Sequence, residues 1–301
     1  CGTGDPATMS GGRSRGGYAA PTFLTEAIVL RTHRLGEADR ILEVLTPQRG
    51  ILRVVAKGVR RTSSRLGSVV EPFMHARLQI AAGRADLHTL RQAQLITPYA
   101  TWLAADYELY TVAAAMAETV GRVQAVDEAG HRGQFRLLHG AIAALARRRH
   151  APRMVLSSFL LRTLAEAGWQ ATFAACARCG RPGPHPWVNV ALGGTVCDAC
   201  RPPGSAHPSA EAICLLQTLS EGDWTVVDAA GETAAREAAG IVSAYLQFHV
   251  ERRLVSLSVL DSMAELDAAA RGGDGSPRQP RRPGRTPDDP GPRHDSPAGA
   301  P

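Results

Sequence analysis

Three sequence patterns predict an α+β chain: a small five-stranded β-barrel of the OB type, then an all-helical domain with an inserted four-cysteine ribbon. Over residues 22–98, short apolar runs alternate with turn residues. Over 99–167, and again after 208, apolar residues recur at spacings of three and four, the signature of amphipathic helices. Between the helical stretches lie two Cys-x-x-Cys pairs, Cys176-Ala-Arg-Cys179 and Cys197-Asp-Ala-Cys200.

Residues 1–21 are rich in Gly, Ser and Arg and read as a disordered extension. Strands follow at 27–32 and 41–46, then at 51–57 after the turn Pro47-Gln48-Arg49-Gly50. A fourth shows clean period-two alternation, with Met74, Ala76, Leu78 and Ile80 on one face and His75, Arg77 and Gln79 on the other. A fifth spans 87–95. In the helical domain, expected over 99–271, two stripes read as core: Leu103, Tyr107, Tyr110 and Ala114, then Phe135, Leu138, Ile142 and Leu145. Arg147-Arg148-Arg149-His150 ends the second helix, where cations offset the helix dipole. Pro152 opens a third helix that Gly168 closes. Pro208 and Ser209 open another, with Cys214 read as a buried apolar thiol. A last helix is expected over 232–260 with Ile241, Tyr245 and Phe248 on one face. Residues 272–301, mostly Pro, Gly, Arg and Asp, read as a disordered tail.

The cysteines give the most specific chemistry. Two Cys-x-x-Cys knuckles one short loop apart supply four thiolates, the ligand set of a structural zinc ion. Gly and Pro residues in the intervening loop suit a ribbon of turns and short strands, placing the zinc ribbon at 173–204. A disulfide set or a redox pair is the alternative, and His185 or His207 is near enough to replace a ligand. Four thiolates leave no open position for water, so the metal is expected to hold the fold together rather than catalyse.

Charge points to the barrel as the polyanion-binding part. Residues 22–100 carry 12 Lys and Arg against 6 Asp and Glu, an excess as large as the net charge of +6 for the whole chain. Residues 176–271 carry 7 against 11 and are net acidic. On the third strand Arg53 and Lys57 share a face with Val55, and Arg60, Arg61 and Arg65 follow in a polar loop; Arg31 and Arg34 extend the set. Together they read as a phosphate track, against the alternative of a solvated strand face. Phe23, Phe73 and Tyr99 are the only aromatic residues in 22–100, so binding is expected to be electrostatic and strongly salt-dependent.

Enzymatic signatures are missing from the sequence. There is no phosphate-binding Gly-x-x-x-x-Gly-Lys-Ser/Thr loop, no Gly-x-Ser-x-Gly elbow, and no His-x-Glu ahead of a Pro-Cys-x-x-Cys pair. No apolar run is long enough to span a bilayer, and no leader-like segment is evident. The expectation is a non-enzymatic, cytoplasmic protein with reduced thiols.

The order of parts resembles a known family. Thr25-Glu26-Ala27-Ile28-Val29-Leu30, Leu35-Gly36-Glu37-Ala38-Asp39-Arg40-Ile41, Gly50 and Val55-Ala56-Lys57-Gly58-Val59-Arg60-Arg61 are similar to the N-terminal signature of the RecO recombination mediators. Pro152-Arg153-Met154-Val155-Leu156 and Leu164-Ala165-Glu166-Ala167-Gly168 resemble the second domain of that family, and the four cysteines its zinc-bearing branch. The resemblance implies a DNA repair factor that binds single- and double-stranded DNA and anneals complementary strands. It implies engagement of the acidic, Phe-ended tail of the single-strand-binding protein and, with RecR, help in loading RecA. It carries the DNA contacts to Arg31, Arg34, Arg53, Lys57, Arg60, Arg61 and Arg65. The tail pocket is expected in the helical domain near Arg132 and Arg136. The competing reading is an interaction adaptor whose DNA contact is incidental; a metal-dependent nucleic-acid enzyme is a third.

Overall fold

A computed structural model describes residues 20–62, 64–83, 86–124 and 127–250. The expected extension before residue 20, the helical segment expected after 250 and the tail at 272–301 lie outside the described residues. Strands β1 (Thr22–Leu35), β2 (Asp39–Thr46), β3 (Gly50–Ala56), β4 (His75–Ala81) and β5 (Leu87–Thr97) close into a barrel in the order β1-β2-β3-β5-β4. Neighbours are antiparallel except β3 and β5, which pair in parallel. Closure removes free sheet edges. Alternation on β4 puts Ala76, Leu78 and Ile80 inside, against Ala27, Val29, Leu42, Val44 and Val54. The connection after β3 plugs the barrel with Val59 and Val70.

β1 does not alternate between core and solvent. Its run Ala27-Ile28-Val29-Leu30 is buried on both faces, because Ala27 and Val29 fill the barrel while Ile28 and Leu30 join the core of the helical region. Leu45 of β2 and Phe73 join the same helical core. The β1–β2 register then shifts between Val29 and Arg31: Val29 pairs with Val44 and Arg31 with Glu43, leaving Leu30 as the extra residue of a bulge.

The helical region comprises α1 (Tyr99–Leu103), α2 (Tyr107–Arg122), α3 (Glu128–Ala146), α4 (Pro152–Glu166), α5 (Ala210–Glu221), α6 (Trp224–Val227) and α7, helical from 232 to 250, the last described position. Acidic and hydroxyl side chains cap their starts: Asp106 accepts from the amides of Glu108 and Leu109, Asp127 from that of Gly130 and Ser209 from that of Ala212. α4, which Pro152 opens, is buried around most of its circumference. α2 packs on β1, and α3 on β2 and β3. Gly50 makes the last contact possible: its φ is +62°, and a Cβ there would stand 2.9 Å from the imidazole of His131 on α3.

Two expectations need correction. The stripe Leu103, Tyr107, Tyr110, Ala114 is not core throughout, since Tyr107 is 86% and Tyr110 42% exposed. The chain breaks helix between α1 and α2, where Asp106 caps, and α2 buries Leu109, Val112, Ala113, Met116 and Val120 instead. Cys214 is exposed, because α5 buries its face at Ala212, Ile213, Leu215, Leu216 and Leu219.

His75, expected on the outer face of β4, is indeed outside the barrel but lies under α1 and α3. Its ring stacks 6.5 Å from Tyr99 and stands 4.7 Å from His139, and neither ring nitrogen has a hydrogen-bond partner among the described residues. The nearest charge is the carboxylate of Glu26 on β1, 3.7 Å away. His139 meets the Tyr99 hydroxyl at 3.1 Å. Burial holds both imidazoles below the ordinary histidine pKa; for His75 the neighbouring His139 adds to this, and Glu26 opposes it. A lowered folded-state pKa means that the unfolded chain takes up protons first. Stability is therefore full above about pH 6.5 and falls as pH drops toward the lowered values. Denaturant midpoints measured between pH 7 and pH 5 should decline for the native chain and decline less steeply for His75→Phe. Parallel declines would show that this junction does not set the acid sensitivity.

Candidate nucleic-acid interface and metal centre

The bulge at Leu30 decides which way Arg31 points. With the extra residue, Arg31 lies opposite Glu43, and Glu43 lies opposite Arg53, so the three occupy one row across β1, β2 and β3. Leu42 and Val44 flank Glu43 and face inward, so that row is on the outside. All seven expected DNA-contact residues, Arg31, Arg34, Arg53, Lys57, Arg60, Arg61 and Arg65, are exposed. None of the seven makes an ion pair among the described residues. One of them, Arg60, is committed to the fold: its guanidinium donates to the carbonyls of Gly36 (3.2 Å) and Glu37 (2.9 Å). With the Arg60 amide on Ala38 and the Gly58 amide on the Asp39 carboxylate at 2.7 Å, it pins the loop after β3 to the β1–β2 turn. Lys57, Arg61 and Arg65 are thereby carried beside the strand face. Glu43 was missed in the sequence: a carboxylate sits in the middle of the basic row, 3.5 Å from the His33 imidazole.

A second basic feature is built by the helices. A cavity of about 620 Å³ opens between α3, α4 and α6, with a floor that includes Leu137, Val155 and Phe159. Arg136, Arg147, Arg149 and Arg162 line it, against one carboxylate, Glu166. None of these four arginines makes an ion pair among the described residues. His150 stacks on Trp224 at its edge (4.0 Å) and meets Asp228 at 2.8 Å. The two expected tail-binding arginines are separated: Arg136 lines the cavity, whereas Arg132 points away and pairs with Glu128 on its own helix.

The four cysteines do converge. Their sulfur atoms all lie within 4.8 Å of one another, a group able to hold a metal ion, and neither His185 nor His207 belongs to it. His185 instead meets the carbonyl of Arg181 through Nε2 at 2.8 Å. The knuckles hang on a short hairpin, β6 (Trp187–Asn189) with β7 (Gly194–Val196), and Gly194 passes so close to Thr172 that a Cβ would collide with its carbonyl. The Cys197 amide points at the Cys176 sulfur at 3.5 Å. Amides of Cys197 and Cys179 pull the Cys176 thiol down to about 5, while hydrogen bonds with Cys197 and Cys179 push the Cys200 thiol up to about 12. Four thiolates this close repel one another, and a soft divalent cation is the partner that lets all four ionise. Among the described residues no helix is long and apolar enough to cross a membrane.

Comparison with known proteins agrees with this layout. A family model described as the N-terminal part of recombination protein O matches residues 21–99, and one described as its C-terminal part matches 104–258. The DNA repair protein RecO of a Nocardioides species is 50% identical over 242 residues, which span 79% of this chain and 99% of the relative. Those of Streptomyces griseus and Thermobifida fusca are each 45% identical, over 246 and 239 residues, spanning 79% of this chain and 98% of each relative.

Metal analysis of the purified protein is expected to give one ion per chain. Cys197→Ser should remove it and lower the unfolding midpoint by about 10 °C or more, while the DNA affinity of the folded fraction changes less than about twofold. A metal-free Cys197→Ser protein with unchanged stability would contradict the structural role.

Proposed function

Starting from the fact that this chain belongs to the RecO family of DNA repair proteins, we propose that it binds single- and double-stranded DNA on the outer barrel face and anneals complementary strands. The observation that carries this is the set of exposed cations around β1 and β3 that make no ion pair among the described residues: Arg31, Arg53 and Lys57, with Arg34, Arg61 and Arg65 beside them. Arg31 and Arg53 stand two strands apart, about 10 Å, a spacing suited to successive contacts along a flexible strand. Binding of this kind displaces counterions from phosphates and leaves the bases free. Annealing needs both, since two polyanions must be brought together while their bases remain able to pair. Neither binding nor annealing requires a catalytic group, and the role is binding and recruitment, in the cytoplasm and on the nucleoid.

The metal is zinc in this reading. With Zn–S bonds of about 2.3 Å, a tetrahedron has an S–S edge of about 3.8 Å, and the Cys179 and Cys197 sulfurs stand 3.9 Å apart. Zinc bound by Cys176, Cys179, Cys197 and Cys200 would supply a cross-link and no reactive position.

The basic cavity of α3, α4 and α6 suits the acidic, Phe-ended tail of the single-strand-binding protein: arginines for the carboxylates, an apolar floor for the ring. Docking there would bring the protein to coated strands, where with RecR it helps RecA to load. This cavity also favours the second reading, an adaptor with incidental DNA contact.

Two variants separate the readings. Arg53→Ala combined with Lys57→Ala should weaken single-strand binding roughly tenfold, reduce annealing with it, and lower the slope of log affinity against log salt by about 1.4. Normal annealing by this variant would refute the assigned face. Arg136→Glu with Arg149→Glu should abolish capture of an acidic peptide ending in Phe, measured by calorimetry, and leave strand affinity within about twofold. A peptide that binds the variant as well as the native chain would remove the tail from this cavity.

A further inference from the structure

We propose that the seam between β1 and α2 is a pocket for one unstacked base of a single strand whose backbone runs over the barrel face. The inference rests on the DNA-binding reading of that face and adds a subsite to it. A cavity of about 270 Å³ opens there, just below the usual range for small-molecule pockets of about 300–1,000 Å³. Its floor is apolar: Leu30 (3% exposed), Phe73 (2%) and Ala117 (2%). Tyr110 forms one wall, its ring edge-on to Phe73 at 5.3 Å and 42% open to solvent. Arg31 and His33 stand at the rim. This combination takes a flat group with polar edges that arrives attached to an anion.

Local structure builds the pocket deliberately. Leu30 lies on the same side of β1 as Ile28, and the bulge turns the next residue, Arg31, to that same outer side, so floor and rim adjoin. Phe73 has a φ of +69°, a conformation that a bulky side chain rarely adopts, and its amide is held by the Val29 carbonyl at 2.7 Å. Arg31 therefore belongs both to the pocket rim and to the basic row with Arg53, so a phosphate on Arg31 would place its own base at the Tyr110 wall. One base taken into a pocket fixes the register of the strand and leaves its neighbours exposed for pairing. Stacking on an aromatic wall is indifferent to base identity, as a repair factor requires.

The test uses the full-length protein and two labelled strands of equal length, an oligothymidylate and a fully abasic deoxyribose-phosphate strand, titrated by fluorescence anisotropy. The native chain should prefer the base-bearing strand by about 5- to 150-fold, the measured range for loss of one stacked base. Tyr110→Phe should keep that preference. Tyr110→Leu, which retains apolar packing against Phe73, should lose it while binding the abasic strand as before, with an unchanged salt slope. Equal affinity of the native chain for the two strands would overturn the pocket and leave the basic face intact. Failure to bind either strand would refute the basic face, and the pocket with it. An acidic peptide ending in Phe should leave the preference unchanged; if it erased the preference while the abasic strand stayed bound, the pocket would belong to a peptide side chain instead.

Discussion

One strand serving two hydrophobic cores is the constraint on which this structure depends. Ala27 and Val29 of β1 fill the barrel, and Ile28 and Leu30 fill the space under the helices. Each large side chain buried in this way contributes about 1.5–3 kcal/mol at most. Ile28, Leu30, Leu45 and Phe73 thus tie the barrel firmly to the helical layer. The tie also dictates where function can lie. Helices cover the barrel over β1 and β2 at Ile28 and Leu45, and over β4 at His75, which leaves the outer row of Arg31, Glu43 and Arg53 open. The bulge at Leu30 is the point at which β1 changes from serving the second core to serving the surface.

Charge is divided along the same line. The open barrel face carries cations that make no ion pair among the described residues, and the cavity at α3 and α4 carries a second group, formed by different arginines. Two anionic ligands can therefore be held without competing for the same arginines. The cysteine cluster belongs to neither. Its own buried core amounts to Cys176, Val196 and Cys197, too little to order a ribbon of this size alone. Within the ribbon the Thr195 hydroxyl donates to the carbonyls of Phe173 and Ala175, and Phe173, in the helical core with Val190 packed against that core, ties the ribbon to the helical region. A metal cross-link completes what these few contacts begin.

How much of this could be read from the chain depended on whether the signal was local. The β4 alternation, the stripe from Phe135 to Leu145, the Pro152 start and the cysteine spacing are each contained in a few residues, and the barrel and the cysteine cluster are found where they point. β1 was harder, because an apolar run of four gives no hint that its two faces enter different cores. Tyr107 and Tyr110 were misplaced because a spacing of three and four was carried through the break that Asp106 creates. Cys214 was judged by residue type, although its neighbours in α5 take the buried face. The dual use of Arg60, the position of Glu43 between two arginines, and a cavity lined from residues as distant as Arg136 and Trp224 arise only from tertiary pairing. The cover of α3 over His75 is of the same kind.

Hydrogen exchange measured with and without each ligand addresses the central claim most directly. An oligothymidylate should slow exchange in β1, β2, β3 and residues 57–65, and an acidic peptide ending in Phe should slow it in α3 and α4, with neither footprint reaching the other. Protection by the strand confined to the cysteine ribbon or to α3 and α4, with β1 to β3 unchanged, would contradict the account.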